Sequence, residues 1–189
     1  MDPNRSDLTV KLKDIKALLI GRPKKLTVDL NEPFIKLQGT WEADETEQRA
    51  AWELYVELAT RVALAELQPG EGLLREELSS LHDIFNETRE TLKKYGPSVA
   101  RAKGEGNLSL GAIAVIMLNF ALRPVLSKWH PLLQAYEETK KVRTSFAEHE
   151  AAWEHYDELR AILADLQKTM QQYARLLAEA AGVPPIQST

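Results

Sequence analysis

The chain has 189 residues, no cysteine and a formal net charge of −4. A chain of this length can bury a core without disulfide or metal staples, and the absence of cysteine excludes thiol catalysis, CxxC redox chemistry and thiolate metal sites. The first residues lack the apolar core of a signal peptide, and no stretch reaches the roughly 18 apolar residues of a spanning helix. We therefore expect a cytoplasmic protein that makes no membrane contact.

Charge is unevenly distributed along the chain. Residues 1–25 carry seven Lys or Arg against three Asp or Glu, a balance of +4, whereas residues 26–189 carry 17 against 25, a balance of −8. The acidic body disfavours a bulk attraction to nucleic acid. The basic segment leaves phosphate contact open as a weaker alternative, beside the simpler interpretation that it lies on the acidic body. Its candidate cations are Lys11, Lys13, Lys16, Arg22, Lys24 and Lys25.

The first 42 residues are predicted to form a basic arm outside the main domain. Residues 8–20 alternate like a strand in their first half and are spaced like a helix in their second half. Further along, Leu26, Val28 and Leu30 alternate again before an Asn-Glu-Pro turn signal. This pattern is typical of a short β-hairpin or of an extended arm packed on the domain.

Helical spacing begins near residue 44. Asp44 and Glu47 form a capping-box signature for a first helix over about 44–67, which stops before a Pro-Gly pair. A second helix begins near residue 72, ends at Gly96 and carries a nearly strict heptad pattern. The heptad positions are Leu74, Leu78, Leu81, Phe85, Thr88, Leu92 and Tyr95.

Two further helices are predicted after a glycine-rich loop at 96–107. Ser109 opens a third helix, whose sequence LGAIAVIMLNFAL is apolar on nearly every face and predicts the most buried helix. Its continuation should kink or break at Pro124 and Pro131, because each proline removes an intrahelical hydrogen bond. A fourth helix opens at Ser145, with a glutamate three residues later, and closes at Gly182.

Four long helices with short connections predict an all-α fold, an antiparallel four-helix bundle over residues 43–182 with a kinked third helix. The basic arm at 1–42 and a C-terminal tail at 183–189 lie outside this bundle.

Two stretches, EQRAAWELYVEL at 47–58 and EHEAAWEHYDEL at 148–159, are identical at eight of twelve positions. In each copy Trp, Tyr and Leu follow one another at intervals of three, which puts them on one helical stripe. We therefore expect Trp52 and Trp153 both to face the core. The first helix matches the fourth and not the third, which argues against a tandem duplication. A shared packing solution is favoured over a ligand site used twice.

A search for catalytic and metal-binding patterns gives little. None of the four histidines, His82, His130, His149 and His155, follows a glutamate at the spacing of a di-iron bundle, and no HExxH pair occurs. The stretch RAKGEGNLSLG meets neither the dinucleotide fingerprint nor the Walker spacing, and there is no GxSxG elbow. Enzymatic activity is disfavoured, and no catalytic residue, metal or cofactor is predicted.

The stretch NFALRPVLSKWHPLLQAYE at 119–137 is the most plausible functional region. Its prolines free the backbone carbonyls of Phe120 and Ser127, which then need donors. A broken helix rimmed with Arg, Trp and His also resembles an interface, since Trp and Arg are common anchors. The simpler alternative is a bend around the core. The partner-binding candidates are Arg123, Lys128, Trp129 and His130. The candidates for a ligand pocket are Trp129, His130 and Tyr136.

The stretches LREELSSLHDIFNETRETLKKYGPSVA and LNFALRPVLSKWHPLLQAYE resemble parts of uncharacterised bacterial all-helical proteins. The resemblance covers about 73–137. It implies a bacterial source and a gene setting of the signalling or defence type, and it transfers no functional residue.

Taken together, these patterns predict a non-enzymatic interaction or regulatory module that acts through helix faces. Its partner would be another protein or a second copy of the chain, and it would serve as an accessory subunit in a bacterial signalling or defence system. One alternative is a small-ligand sensor or enzyme with a pocket near the bend of the third helix. A weaker alternative is nucleic-acid contact through the basic arm.

Overall fold

A computed structural model describes residues 24–61, 71–104 and 107–185. These residues form a three-stranded sheet, five helices and a short 3₁₀ turn at Gly96–Ala100. The strands are β1 (Lys24–Glu32), β2 (Ile35–Ala43) and β3 (Asn107–Leu108). The helices are α1 (Glu45–Ala59), α2 (Leu74–Tyr95), α3 (Leu110–Glu137), α4 (Phe146–Ala151) and α5 (Tyr156–Ala181).

The prediction of an all-α four-helix bundle is wrong, because a mixed sheet is part of the fold. β1 and β2 form an antiparallel hairpin, and β3 pairs with β2 in parallel, which gives the strand order β1-β2-β3. The hairpin lies where Leu26, Val28 and Leu30 alternate, and all three side chains are buried. β3 comes from the loop predicted between the second and third helices. A strand of two residues is too short to show the alternation of apolar and polar side chains that identifies a strand in a sequence.

The hairpin packs into the same core as the helices. The side chains of β1 that point inward face α5, which runs antiparallel to the strand. At one end Lys24 donates a hydrogen bond to the carbonyl of Glu179, and at the other end Gln172 donates one to the carboxylate of Glu32. On β2, Trp41 is completely buried. The strands therefore contribute buried side chains to the same hydrophobic core that the helices form.

α1 begins as its sequence predicts. The Asp44 side chain accepts a hydrogen bond from the Glu47 backbone N–H at 2.9 Å, and the Glu47 side chain accepts one from the Asp44 N–H at 3.3 Å. The helix ends at Ala59, with Thr60 as its C-cap, so the prediction that it extends to about residue 67 is wrong. Residues 62–70 lie outside the described residues. α1 packs mainly against α5 and also against α2.

α2 begins and ends close to its predicted positions, and α3 begins at its predicted position. α2 ends at Gly96, whose φ of +63° lies in the left-handed region that favours glycine. Ser109 caps α3 by accepting a hydrogen bond from the Ala112 N–H. The heptad positions of α2 are buried at Leu74, Leu78, Leu81 and Thr88, and half-buried at Phe85, Leu92 and Tyr95.

α3 continues through both prolines, so the predicted break does not occur. The helix is α-helical over Leu110–Ile116, π-helical over Met117–Leu122 and α-helical again over Arg123–Glu137. Within this irregular part the Arg123 N–H donates to the Leu118 carbonyl, five residues earlier. The wider turn stands directly before Pro124, whose missing N–H already weakens the regular pattern there.

α3 is also apolar enough to be compared with a membrane span. Among the described residues it is the one helix with an 18-residue window that is sufficiently long and apolar, at a mean hydropathy of 1.8. Half of that window is buried in the fold, as in the core helix of a folded domain. Length and hydropathy alone are therefore weak support for a membrane-spanning role.

The predicted fourth helix is two helices. α4 has the predicted capping box at Ser145 and Glu148, but it ends at Ala151 after six residues. A turn follows, in which the Trp153 N–H donates to the Glu150 carbonyl and the Tyr156 N–H donates to the Trp153 carbonyl. α5 then runs to Gly182, whose φ is +75°.

The two similar stretches therefore have different structures. The first lies within α1 from Glu47 onward, whereas the second spans the turn between α4 and α5. The prediction that both tryptophans face the core is confirmed for Trp153, which is 7% exposed, and wrong for Trp52, which is 47% exposed. In α1 the buried stripe is centred on Ala51, Leu54 and Leu58, and Trp52 lies to one side of it.

Candidate functional site

The exposed side of α3 carries an unusual mixture of apolar, cationic and proline residues. Phe120 is 63% exposed, Val115 is 45% exposed and Leu132 is 42% exposed. Both prolines of the helix are exposed on this side as well. We call this surface the proline face and define it as Val115, Phe120, Arg123, Pro124, Lys128, Pro131 and Leu132.

Two of the predicted partner-binding residues, Arg123 and Lys128, are exposed on the proline face. The Arg123 guanidinium lies over the ring of Phe85, 5.9 Å from its centroid. A guanidinium placed on a ring keeps N–H donors available at its edge. Lys128 donates a hydrogen bond to Glu158 at 3.2 Å and lies 4.1 Å from the centroid of the Trp129 ring. These contacts hold both cations beside the exposed apolar side chains.

The other two predicted residues are not exposed. Trp129 is 2% exposed and packs edge-on against Trp153, with 6.0 Å between ring centroids. His130 is half-buried and faces α2, where its ring stacks on that of His82 with 5.9 Å between centroids. It lies two turns after Arg123, which also contacts α2 through Phe85. The structure therefore exposes Arg123 beside α2 and Lys128 beside α5, buries Trp129 next to Lys128, and places the half-buried His130 against α2.

Two of the three residues proposed for a ligand pocket, Trp129 and Tyr136, belong to a closely packed group of rings. Tyr136 stacks on His149 with 4.2 Å between centroids and on Trp153 with 5.5 Å. The Tyr136 hydroxyl donates to the His149 carbonyl at 2.9 Å, and the His149 Nε2–H donates to the Tyr136 carbonyl at 3.0 Å. Trp129 and Tyr136 thus both pack against Trp153. These contacts join α3 to α4 and the turn that follows it.

His130 belongs to a charged network between α2 and α3. Arg75 makes a two-pronged ion pair with Glu137, at 2.9 Å from Nε to Oε1 and 2.6 Å from Nη2 to Oε2. It also donates from Nη1 to His130 Nε2 at 3.2 Å, which requires that this nitrogen be unprotonated. Burial, followed by the positive charge of Arg75 and the neighbouring His82, lowers the pKa of His130.

Glu150 provides the cap that α2 lacks locally. Leu73 precedes this helix and makes no side-chain cap hydrogen bond. The buried carboxylate of Glu150 instead accepts from the backbone N–H of Leu74 at 2.7 Å and from that of Arg75 at 3.2 Å. Burial raises the pKa of Glu150, while these two hydrogen bonds act in the opposite direction. A carboxylate at a helix N-terminus is favourable, so we interpret Glu150 as a structural group.

Glu47 occupies a comparable position at the other end of the fold. Its buried carboxylate accepts from the Trp41 indole at 3.0 Å and from the Leu110 N–H at 2.9 Å, and it pairs with Lys103. Lys103 also lies 2.9 Å from the Asp44 carboxylate. Glu47 therefore joins β2, the starts of α1 and α3, and the loop after α2. The sequence identified it as a capping residue, but its distant partners have no local signal.

A shallow cleft of about 360 Å³ lies beside Trp52 of α1. None of the residues that line it belongs to the proline face. Within it the Tyr95 hydroxyl donates to Glu53 at 2.6 Å, and Lys94 pairs with the same carboxylate at 2.6 Å. Burial, followed by the bond to Glu53, raises the pKa of Tyr95 to about 12. The cleft is lined by Glu45, Gln48, Arg49, Trp52, Glu53, Tyr95 and Ala181.

Most of the residues predicted for nucleic-acid contact, Lys11, Lys13, Lys16 and Arg22, lie outside the described residues. Lys24 is engaged with the end of α5 through its bond to the Glu179 carbonyl, and Lys25 is exposed on β1. In the part of the chain that the structure describes, no group of three or more His, Asp or Glu side chains is placed to hold a metal ion.

Comparisons of the chain with protein-family models, with curated protein sequences and with solved structures find no match.

Proposed function

We propose that this chain is a non-enzymatic interaction or regulatory module that binds another protein through the proline face, as an accessory subunit in the cytoplasm. The observation that carries the proposal is the exposure of Phe120, with Val115 and Leu132 on the same helix. A single exposed apolar residue needs no explanation, but a helix face with several large ones is typical of an interaction site.

The charges beside these residues favour an acidic partner. Arg123 and Lys128 border the apolar side chains, whereas the chain beyond residue 25 has a balance of −8. In a two-fold symmetric pair of copies the same patch meets itself, which would bring like charges together. A different protein with an apolar centre and an acidic rim avoids this repulsion and gains electrostatic complementarity.

The test is capture of a partner by the full-length chain, compared with two matched variants. Phe120→Asp replaces an exposed apolar side chain on the proline face, and Val142→Asp does the same in the loop before α4, where Val142 is 99% exposed. We expect a stoichiometric partner that is retained by Val142→Asp and lost with Phe120→Asp. Arg123→Glu should weaken the same complex because it reverses the complementary charge.

Circular dichroism and thermal unfolding should show that all three variants keep the wild-type fold. A monodisperse monomer that captures nothing would argue against an interaction module. A partner retained equally by Phe120→Asp and Arg123→Glu would place the interface elsewhere. A self-associated chain that captures no other protein would contradict the proposed heterologous partner.

The alternative of a ligand pocket among Trp129, His130 and Tyr136 is less favoured, because the first and last of these rings pack directly against Trp153. Nucleic-acid contact through the basic arm keeps a distinct signature. It would weaken steeply with salt and would be unaffected by Phe120→Asp.

A further inference from the structure

We propose that the cleft beside Trp52 binds the guanidinium group of an arginine side chain on a partner protein. The cleft is shallow, has a volume of about 360 Å³ and lies where α1 meets the end of α2 at Tyr95 and the end of α5 at Ala181. A guanidinium is planar, always charged and weakly hydrated, so it can lie on an aromatic ring and pair with a carboxylate at the same time. The cleft offers both kinds of group.

Trp52 provides the ring. Its side chain is 47% exposed, and the Tyr55 ring packs beside it with 6.0 Å between centroids and a tilt of 44°. Tyr55 is buried, so the indole rests against a fixed neighbour while much of its surface faces the cleft. Among aromatic side chains, tryptophan gives the strongest attraction to a cation placed over its face.

Glu53 provides the carboxylate. Its Oε1 accepts hydrogen bonds from the Tyr95 hydroxyl and from Lys94, both at 2.6 Å, which hold the group in position. A carboxylate has about four acceptor sites, so Oε2 can still accept from a bound cation. Burial raises the pKa of Glu53, but the bonds from Lys94 and Tyr95 outweigh burial and lower the pKa, so the group stays ionised.

The cations that are already near the cleft leave room for another. Arg49 lines the cleft and pairs with Glu45 four residues earlier, and both side chains are more than half exposed. Lys94, which pairs with Glu53, is also more than half exposed. Exposed ion pairs of this kind are weak, because water screens them and both side chains lose freedom. The lining residues themselves include two carboxylates and one guanidinium.

The end of α5 adds to the attraction for a cation. Ala181, the last residue of this helix, lines the cleft, and the last turn contains no basic residue. A helix C-terminus carries a partial negative charge, which favours a cation nearby. The same end already binds one cation from within the chain, since Lys24 donates to the Glu179 carbonyl.

The test is a titration of the isotope-labelled full-length protein with N-acetyl-arginine amide at constant ionic strength, followed by NMR at the tryptophan indole N–H groups. We expect the Trp52 signal, identified by its loss in Trp52→Phe, to shift until it saturates. The signals of the buried Trp41, Trp129 and Trp153 should stay in place. N-acetyl-lysine amide should bind about threefold more weakly, because an ammonium is more strongly hydrated and does not stack.

Two variants separate the contributions of the carboxylate and the ring. Glu53→Gln removes the charge but keeps an acceptor for the Tyr95 hydroxyl, and it should weaken binding of the arginine probe about fivefold or more. Trp52→Leu should weaken it about threefold, measured at the backbone amides of the cleft. Glu154→Gln is the matched control, because Glu154 follows Trp153 as Glu53 follows Trp52 and is 84% exposed outside the cleft. It should bind the probe as the wild type does.

The neutral probe N-acetyl-citrulline amide has nearly the same shape without the charge and should bind about fivefold or more weakly than the arginine probe. Equal binding of these two probes, the absence of a shift at Trp52, or equal affinity of the wild type and Glu53→Gln would each overturn the proposal. Circular dichroism should show that the variants keep the wild-type fold.

Free L-arginine separates two sources of the guanidinium, because its own carboxylate could pair with Arg49 at the side of the cleft. Binding of free arginine that is no tighter than that of N-acetyl-arginine amide supports an arginine side chain of a partner. Binding that is about tenfold tighter would assign the cleft to the free amino acid and overturn the assignment to a partner protein.

Discussion

The carboxylate of Glu150 caps a helix whose first residue, Leu74, lies 76 positions away in the sequence. Replacement by alanine removes an acceptor from two buried backbone N–H groups and leaves space behind. Because hydrogen bonds to a charged group contribute about 1.5–3 kcal/mol, we expect Glu150→Ala to lower the free energy of unfolding by about 2–4 kcal/mol. Denaturant titration measures this loss.

Glu148 provides the control, since it is exposed and caps only its own short helix. Glu148→Ala should cost about 1 kcal/mol. Equal losses in the two variants would contradict the assignment of Glu150 as the cap of α2.

His130 should make stability depend on pH. Its pKa is lowered by burial, Arg75 and His82, with Glu137 opposing, so the folded state binds its proton less readily than the unfolded state. The unfolded chain therefore takes up the proton first as the pH falls through about 6.5, and the folded state loses stability. The stability that neutral His130 preserves is therefore fully present above that pH, and it declines as the pH falls towards the pKa of His130 in the folded state.

The free energy of unfolding of the wild type, relative to that of His130→Gln, should fall between pH 7.5 and pH 5.5. Parallel denaturant titrations across this range measure the difference. An unchanged difference would mean that His130 does not titrate differently in the folded and unfolded states.

Trp52 and Trp153 offer a direct comparison, because the same residue type stands in nearly the same local sequence. Trp153→Ala should cost about 3–5 kcal/mol, since it leaves a cavity beside Trp129 and Tyr136. Trp52→Ala should cost about 1 kcal/mol or less, since much of its ring is already in contact with solvent. Thermal or denaturant unfolding of the two variants gives the comparison. Similar costs would be inconsistent with the difference in burial.

Tyr173 has a completely buried hydroxyl for which the described part of the chain provides no hydrogen-bond partner, and burial raises its pKa. Because an unpaired buried donor is costly, we expect Tyr173→Phe to leave stability unchanged or to raise it by about 1 kcal/mol. Tyr136→Phe should instead lower stability by about 1 kcal/mol, because it removes the bond to the His149 carbonyl. A loss in Tyr173→Phe would indicate a partner such as an ordered water molecule.

Local signals in the sequence predicted the ends of several elements correctly. The capping box of Asp44 and Glu47, the cap at Ser109 and the glycines at 96 and 182 all act within a few residues of themselves. The alternation in β1 also indicated the hairpin. Such features could be read from the sequence because both partners of each interaction lie close together in the chain.

The features that were missed depend on residues far apart. Residues 50–55 and 151–156 share the sequence AAWExY, where x is variable. The first copy continues α1, whereas the second forms the turn between α4 and α5. Just before that second copy Glu150 is held at the start of α2, and within it Trp153 packs between Trp129 and Tyr136. For the same reason, the sequence located only part of the candidate site. Helical spacing locates α3 and its prolines, whereas the exposure of Arg123 and the burial of Trp129 depend on what packs against each side.

The π-helical segment of α3 has a consequence for tolerance to deletion. Buried side chains recur every fourth residue along this helix, at Ile113, Met117, Ala121, Val125, Trp129 and Leu133. In a regular α-helix each four-residue step turns about 40° beyond a full circle, so five steps would move these side chains by about 200° around the helix axis. The wider turn at 117–122 rotates less per residue and therefore reduces this displacement. Deletion of one residue there would tighten the turn into an α-helix and keep Trp129 inside. The same deletion after Pro124 would rotate the rest of the helix by about 100° and bring its charged side towards the core.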